Sequence, residues 1–518
     1  MTPDIAYGQL LPLLIVFGAA IVSVLVEAFV PARHRYRAQL VLFLGGLVAA
    51  LVSVLLLAGS RVLTAEGSVA VDGPALFLQG LTVLVAIGAG LLIGERTVLP
   101  AASRRKVLAG FAPQAALAPG GDGERDAERA GVMQTEVFPL TLFATGGLML
   151  FPAANDLITL FIALEVLSLP LYVLCGMARR RRLLSQEAAV KYFLLGSFSS
   201  AFFAYGVALV YGYAGTVDFD GIARVVAAEG GSTLALIGVA MMSVGLLFKV
   251  GAVPFHTWTP DVYQGAPTPI TAFMAAGTKV AAFGAILRFF HTAVPGLEAD
   301  WRPVLWVIAA LTMLVGTIVA ITQNDVKRLL AYSSVAHAGF LLTGVIAVGP
   351  AGVSATLFYL AAYAVSTVGV FAVAGLVRGP DGAEIGDLQA WSGLGRRQPV
   401  VAGAFAVLLL ALAGIPLTSG FMAKFAVFSA AVDAGAVTLV VIGVLTSAIA
   451  ASFYIRVIVV MFFRDSERGT HPGGAEVAFA RQPVTLGVIA VAVAVTLGLG
   501  IAPQPLLDLA AAAAAFVG

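Results

Sequence analysis

Apolar runs long enough to cross a bilayer recur along nearly the whole chain, separated by short polar or Gly/Pro-containing stretches. A helical crossing needs about 20 mostly apolar residues. The runs predict helices over 10–30, 39–59, 75–94, 134–151, 157–177, 187–212, 233–251, 269–292, 303–322, 328–348, 354–377, 401–432, 437–463 and 483–501. The expectation is an all-α polytopic membrane protein of about 14 transmembrane helices. An even number of crossings puts both termini on one face. One polar stretch is long, 95–133, and it is rich in Gly, Pro and charge. It is expected to be a mobile loop with no chemistry of its own.

Composition agrees with the pattern. Of 518 residues, 60% are apolar and 11% charged, with a mean hydropathy of +0.99. Soluble domains carry roughly 25% charged residues, so lipid is the solvent this surface suits. The first ten residues lack a basic region followed by a cleavage site, so they read as mature sequence. The net charge of +2 gives no reason to expect a nucleic-acid partner.

The charges are placed unevenly. Of the 30 basic residues, 21 fall in alternate loops: around Arg33–Arg37, Arg96–Arg129, Arg179–Arg182, Lys327–Arg328, Arg378–Arg397 and Arg464–Arg481. The other set of loops holds Arg61, Arg224 and Arg302. Basic loops stay in the cytoplasm. The expected location is a bacterial cytoplasmic membrane with both termini on the outer side.

Six basic residues remain, inside the apolar runs. Ionisable groups in lipid are costly and mark functional sites by default. Four of the chain's six lysines are among them: Lys191, Lys249, Lys279 and Lys424. Elsewhere the chain uses arginine, which stays charged, whereas a buried lysine can release its proton. That preference points to a proton relay. Ion pairs that pin helices together are the bland alternative, and Lys191 can also snorkel to the interface. Glu165 lies at mid-depth of the fifth run, with Lys249 as its expected partner. His337 in AYSSVAHAGFLL either relays protons or bonds to the adjacent serines. Arg288 and His291 are expected to anchor the eighth run at the outer face, and Arg456 has no evident partner. Cys175, the one cysteine, reads as packing. One cysteine and five scattered histidines leave no expected cofactor or metal in this chain.

Two runs carry breakers. Pro254 in LLFKVGAVPFHTWTPDV should unwind the helix just after Lys249. Gly414, Pro416 and Gly420 in LALAGIPLTSGFMAKF interrupt the twelfth run just before Lys424. Non-helical backbone at this depth is tolerated where protein or a wet cavity surrounds it. The broken runs 7 and 12 are five apart. Pairing five with ten, seven with twelve and eight with thirteen aligns Glu165 with His337, Lys249 with Lys424, and Lys279 with Arg456. An odd repeat re-enters the membrane upside down, so the expectation is two inverted five-helix repeats. The organisation is then 1–133, three helices plus the loop; 134–292, the first repeat; 303–463, the second; and 464–518, the last helix and tail.

KVGAVPFHTWTPDVYQGAPTP, NDVKRLLAYSSVAHAG and GIPLTSGFMAKF together resemble the antiporter-like subunits of respiratory complex I, relatives of cation/proton antiporter subunits. ALEVLSLPLYVL around Glu165, and lysine at position 424, resemble the N-type members of that family. The chain also ends without the long lateral helix of the L-type subunit. The resemblance implies a proton-translocating subunit of NADH–quinone oxidoreductase. Glu165 and Lys249 would be its charge pair, Lys279 its central relay, and Lys424 the step toward the outer exit, with Lys191 and His337 as further candidates. NAD, FMN, iron–sulfur clusters and quinone would belong to partner subunits. The implied neighbours are the M-type antiporter-like subunit, small membrane subunits on the quinone side and the lateral helix of the L-type subunit. Two other readings stay open: a subunit of a sodium/proton antiporter or membrane-bound hydrogenase-like complex, and a structural membrane subunit that pumps nothing.

Overall fold

The computed structural model describes residues 6–517 apart from 96, 100–105, 109–110, 112–120, 124–125, 127–133, 380–381, 466–477 and 481. Most of the 95–133 loop therefore lies outside the described residues.

The chain is built of helices. In order they are α1 (Leu11–Phe29), α2 (Ala32–Leu56), α3 (Gly73–Ile93), α4 (Val137–Leu150), α5 (Leu157–Cys175), α6 (Arg182–Ala214), α7 (Phe219–Glu229), α8 (Thr233–Val250), α9 (Trp258–Gly265) and α10 (Thr268–Arg288). There follow α11 (Glu298–Thr322), α12 (Val326–Ile346), α13 (Pro350–Leu376), α14 (Leu394–Arg397), α15 (Pro399–Ala413), α16 (Ser419–Asp433), α17 (Val437–Phe463), α18 (Pro483–Ile501) and α19 (Gln504–Ala512). Among the described residues twelve helical stretches are long and apolar enough to cross a membrane, and Val137–Ala153 and Pro399–Ala413 are shorter apolar helices. Each of the fourteen expected runs overlaps one of these. The sequence pattern did not foresee α7, an amphipathic helix in the loop after α6, nor three two-stranded ladders such as Val62–Thr64 with Val69–Val71.

Local chemistry sets the helix starts. Asp72, Asp156, Ser232 and Asp325 each accept hydrogen bonds from backbone N–H groups in the first turn of α3, α5, α8 and α12. Those donors have no partner within the helix. Proline opens α10, α13, α15 and α18, where its missing N–H costs nothing.

The apolar helices divide into a spine and a rim. The most apolar stretch of Thr268–Ala293 is 100% buried, and those of α12 and α13 are 94% buried. For α1, α2, α6 and α17 the figure is 33%. The rim exposes large side chains such as Leu56, Phe198 and Phe463, the surface that lipid covers. The spine carries Lys279 and His337.

Two turns of the chain are built alike. Before α5, Asp156 bridges Asp218, and the Leu157 N–H bonds to Val217 O while the Phe219 N–H bonds to Asn155 O. Before α12, Asp325 bridges Asp387, with Val326 N–H to Gly386 O and Leu388 N–H to Asn324 O. Matching Asp156 to Asp325 brings Ser168, not Glu165, to the place of His337, and puts Glu165 opposite Ser334. On that match, the alignment expected from the charges differs by one turn.

Candidate functional site

The site begins with the two broken helices. α8 ends at Val250, and Gly251 takes φ +72°, a left-handed conformation suited to glycine. The chain stays unwound to Thr257 before α9. α15 ends likewise at Gly414, φ +85°, and α16 starts at Ser419. In both breaks two backbone bonds close the helix end: Ala252 N–H to Leu247 O with Gly251 N–H to Phe248 O, and Ile415 N–H to Leu410 O with Gly414 N–H to Ala411 O. Such an end satisfies some carbonyls and leaves the last ones for other donors.

Lysines supply those donors. Lys279, buried on α10, donates to Val250 O at 2.6 Å. Lys424 on α16 donates to Ala413 O at 2.8 Å, Leu412 O at 3.2 Å and Ser447 Oγ at 2.7 Å. A helix C-terminus carries partial negative charge, which favours an ammonium there. The Lys424 Nζ also lies 4.7 Å from the centre of the Phe340 ring. The two lysines do not occupy equivalent places, since Lys249 precedes its break and Lys424 follows its own.

Lys249 departs from the expected pair. Its Nζ donates to Ser168 Oγ at 2.7 Å and to Tyr192 OH at 3.4 Å. Among the described residues no ion pair within 4 Å joins it to Glu165, and Glu165 Oε1 is buried without a hydrogen-bond partner. The physical reason is helix geometry: Ser168 is one turn on from Glu165, on the same face, and its hydroxyl takes the place the carboxylate was expected to fill.

His337 bridges the rest. Its Nδ1 pairs with Tyr359 OH at 2.8 Å and its Nε2 with Tyr454 OH at 3.4 Å. Of the two adjacent serines, Ser333 pairs with Tyr454 OH, and Ser334 accepts from Tyr363 OH at 2.8 Å. Lys279 thus bonds the carbonyl next to Lys249 in sequence, and the Phe340 ring lies between His337, 5.8 Å between ring centres, and Lys424 Nζ, 4.7 Å away.

Lys191 stands apart. Its side chain is 42% exposed and pairs with Glu187 at 2.7 Å and Asp261 at 2.7 Å. Asp261 also holds Arg328 at 2.6 Å. Arg456 does have partners, the Ile321 and Gln323 carbonyls at the end of α11. Arg288 is fully buried with Asp72 at 2.7 Å, which ties α10 to α3. Cys175 packs its sulfur 3.7 Å from that of Met274.

Sequence reasoning missed the hydroxyls: Ser168, Tyr192, Tyr359, Tyr363, Tyr454 and Ser447. One signal was available, because Tyr359 and Tyr363 are four apart on one helix face. Among the described residues no group of three or more His, Cys, Asp or Glu side chains could hold a metal ion.

Broken helices with lysines on their carbonyl ends, around a buried helical spine, define an antiporter-like membrane subunit. Residues 154–450 match the family described as NADH:quinone oxidoreductase/Mrp antiporter, transmembrane. NADH-quinone oxidoreductase subunit N of Rhodococcus opacus is 62% identical over 99% of this chain and 97% of its own length. That of Mycobacterium tuberculosis is 58% identical over 99% and 98%. A chain of Thermus thermophilus respiratory complex I solved with bound aureothin superposes with a TM-score of 0.77 at 33% identity, covering 96% of this chain and 99% of that one. A chain of a Dietzia Mrp complex reaches 0.77 at 24% identity, covering 98% and 97%, a likeness of fold. The chain belongs to the NADH-quinone oxidoreductase subunit N family, as a membrane subunit that translocates protons within respiratory complex I.

Proposed function

We propose that this subunit moves protons along Glu165, Lys249, Lys279, His337 and Lys424, with Lys191 outside the main line, in response to quinone reduction in partner subunits. One observation carries the reading. Three buried lysines and a histidine follow one another through two helix breaks, and serine or tyrosine hydroxyls bond Lys249, His337 and Lys424. A structural set of ion pairs would match each lysine with a carboxylate. Here Lys249, Lys279 and Lys424 are matched with neutral oxygens. Neutral partners let an ammonium lose its proton without stranding an opposite charge. The breaks place non-helical backbone where such a group needs hydration.

The twin turns before α5 and α12 support the inverted repeat. Five crossings separate them, an odd number, so they lie on opposite faces. We infer that both termini face outward, from the 21 basic residues in alternate loops. The neighbours are then the M-type subunit, the small quinone-side subunits and the lateral helix of the L-type subunit. NAD, FMN, iron–sulfur clusters and quinone are held by partners.

Lys249 tests the relay. Lys249→Ala removes a carrier, and Lys249→Arg keeps the charge but releases no proton at working pH. Both variants are expected to assemble at normal abundance and to lose proton pumping, with coupled NADH–quinone turnover, to a similar degree. Pumping is read in inside-out vesicles and assembly on native gels. Normal pumping by the Arg variant alone would make Lys249 a structural counter-ion.

A further inference from the structure

A second charged cluster lies where both spine helices begin. Thr268 opens α10, the helix of Lys279, and Lys327 lies in the first turn of α12, the helix of His337. The Thr268 hydroxyl donates to Glu384 and accepts from Lys327 Nζ at 3.1 Å. Lys327 also donates to Ala266 O at 2.8 Å and sits 3.6 Å from Glu384 Oε2. Arg378 lies 3.5 Å from the other carboxylate oxygen. The Lys327 side chain is 5% exposed and that of Glu384 20%, so water reaches the carboxylate first.

Two small cavities meet at this cluster, about 40 Å³ and 30 Å³, and Glu384, Arg378 and Pro267 line both. A water needs roughly 10–15 Å³ and two to four polar partners, and both conditions are met. A separate run of hydroxyls leads to His337. Tyr263 OH is 3.5 Å from Ser334 Oγ, which also accepts from Tyr363, and the Tyr363 ring centre is 5.1 Å from that of His337. The loops on this face are the basic ones.

We propose that Glu384, Thr268 and Lys327 form the cytoplasmic loading site of the relay, a role that rests on the proton-relay reading above. A hydronium in the cavities gives its proton to the Glu384 carboxylate and leaves as water. The Glu384 carboxyl then passes that proton to Thr268 Oγ, while the Thr268 hydroxyl proton moves to a neutral Lys327 Nζ. The carboxylate and hydroxyl are restored, and Lys327 gains the one proton the water lost. The hydrogen bonds observed, Lys327 to Thr268 to Glu384, are those of the loaded state.

The charges facing Glu384 are Lys327 from α12, Arg378 from the strand after α13, and Arg181 from the loop before α6. Glu95 and Arg180 line the adjoining cavities. Burial pushes the Glu384 carboxyl up, but Lys327 and Arg378 outweigh it and hold it below the ordinary carboxylate range. It is therefore ionised across the working range, and it takes up a proton most readily while Lys327 is neutral and its charge is absent.

The experiment uses the intact complex in inside-out vesicles, whose cytoplasmic face meets the medium, and records NADH-driven pumping against medium pH. Glu384→Gln keeps an acceptor for Thr268 but binds no proton, and Thr268→Val keeps shape without the hydroxyl. Both are expected to assemble and to lose pumping on the order of tenfold in alkaline medium, with near-normal rates in acid, where protons are plentiful. Glu384→Asp should restore part of the loss. If Glu384→Gln fails to assemble, Thr268→Val decides. Lys424→Ala separates the two claims. Normal pumping by that variant overturns the relay itself. If it is inactive at every pH while Glu384→Gln and Thr268→Val follow the unsubstituted profile, the loading site is overturned. An equal loss at all pH values, tracking the amount of assembled complex, makes the cluster a structural tie and also overturns it.

Discussion

The contact between Lys249 and Ser168 shows what a single side chain contributes. A lysine at 2% exposure needs acceptors, because a buried charge without them costs several kcal/mol. Ser168 Oγ is its near partner, and Tyr192 at 3.4 Å is a weaker one. Ser168→Ala removes the first and leaves a cavity too small to offer a substitute. Loss of such a bond costs about 1–3 kcal/mol, which a rate reads as roughly tenfold per 1.4 kcal/mol. Ser168→Ala is expected to slow coupled turnover by about tenfold or more, while Ser168→Thr keeps most of it. Turnover of coupled and uncoupled vesicles measures this, and an unaffected Ala variant would show that Tyr192 suffices. The lysines of the site were legible in the sequence: three of the four in apolar runs, where the loops mostly use arginine. The pairings were not. Ser168 is one helical turn from Glu165, and which of them meets Lys249 depends on the rotation of α5 against α8, a quantity no linear pattern contains.

Helix breaks were the best-foreseen elements, because proline and glycine act locally. Gly414, expected as a breaker, takes a left-handed conformation, and Gly251, which was not singled out beside Pro254, ends α8 in the same way. The close approach behind the second break was not foreseen. A Cβ at Gly420 would lie 1.8 Å from Ala411 O, so the two half-helices touch through backbone. That contact keeps α16 close to α15 and thereby holds Lys424 over the Leu412 and Ala413 carbonyls. Gly420→Ala is expected to force the half-helices apart, costing about 1–3 kcal/mol of stability. It should also lengthen the Lys424 contacts and lower pumping. Thermal melting of the assembled complex, together with vesicle pumping, checks both effects. A variant with unchanged melting and pumping would show that the break adapts freely. The amphipathic α7 was missed for a different reason. It lies in a loop, and the search for 20-residue apolar runs passes over an 11-residue helix with one apolar face.

For the whole molecule, burial and charge give two independent gradients. Burial runs radially, from the enclosed α10, α12 and α13 to the lipid-facing rim. In the proposed topology charge runs along the membrane normal, with the basic loops on one face. Fold geometry constrains the second gradient, since each turn between successive crossings alternates sides, and the α1–α2 turn with Arg33 must lie opposite the α6–α8 loop with Arg224. Which of them is cytoplasmic follows from the positive-inside bias. The native Cys175 is buried and does not interfere with thiol labelling. A cysteine placed at exposed Arg33 is expected to react with a membrane-impermeant reagent in inside-out vesicles and not in intact cells. One at exposed Arg224 should do the reverse. Exchange of the two patterns would invert the molecule. Glu384 would then face outward, and the cluster of Glu384, Thr268 and Lys327 would release protons rather than load them. Reaction of both sites from one side would break the crossing count between them, and with it the odd five-helix spacing on which the inverted repeat stands.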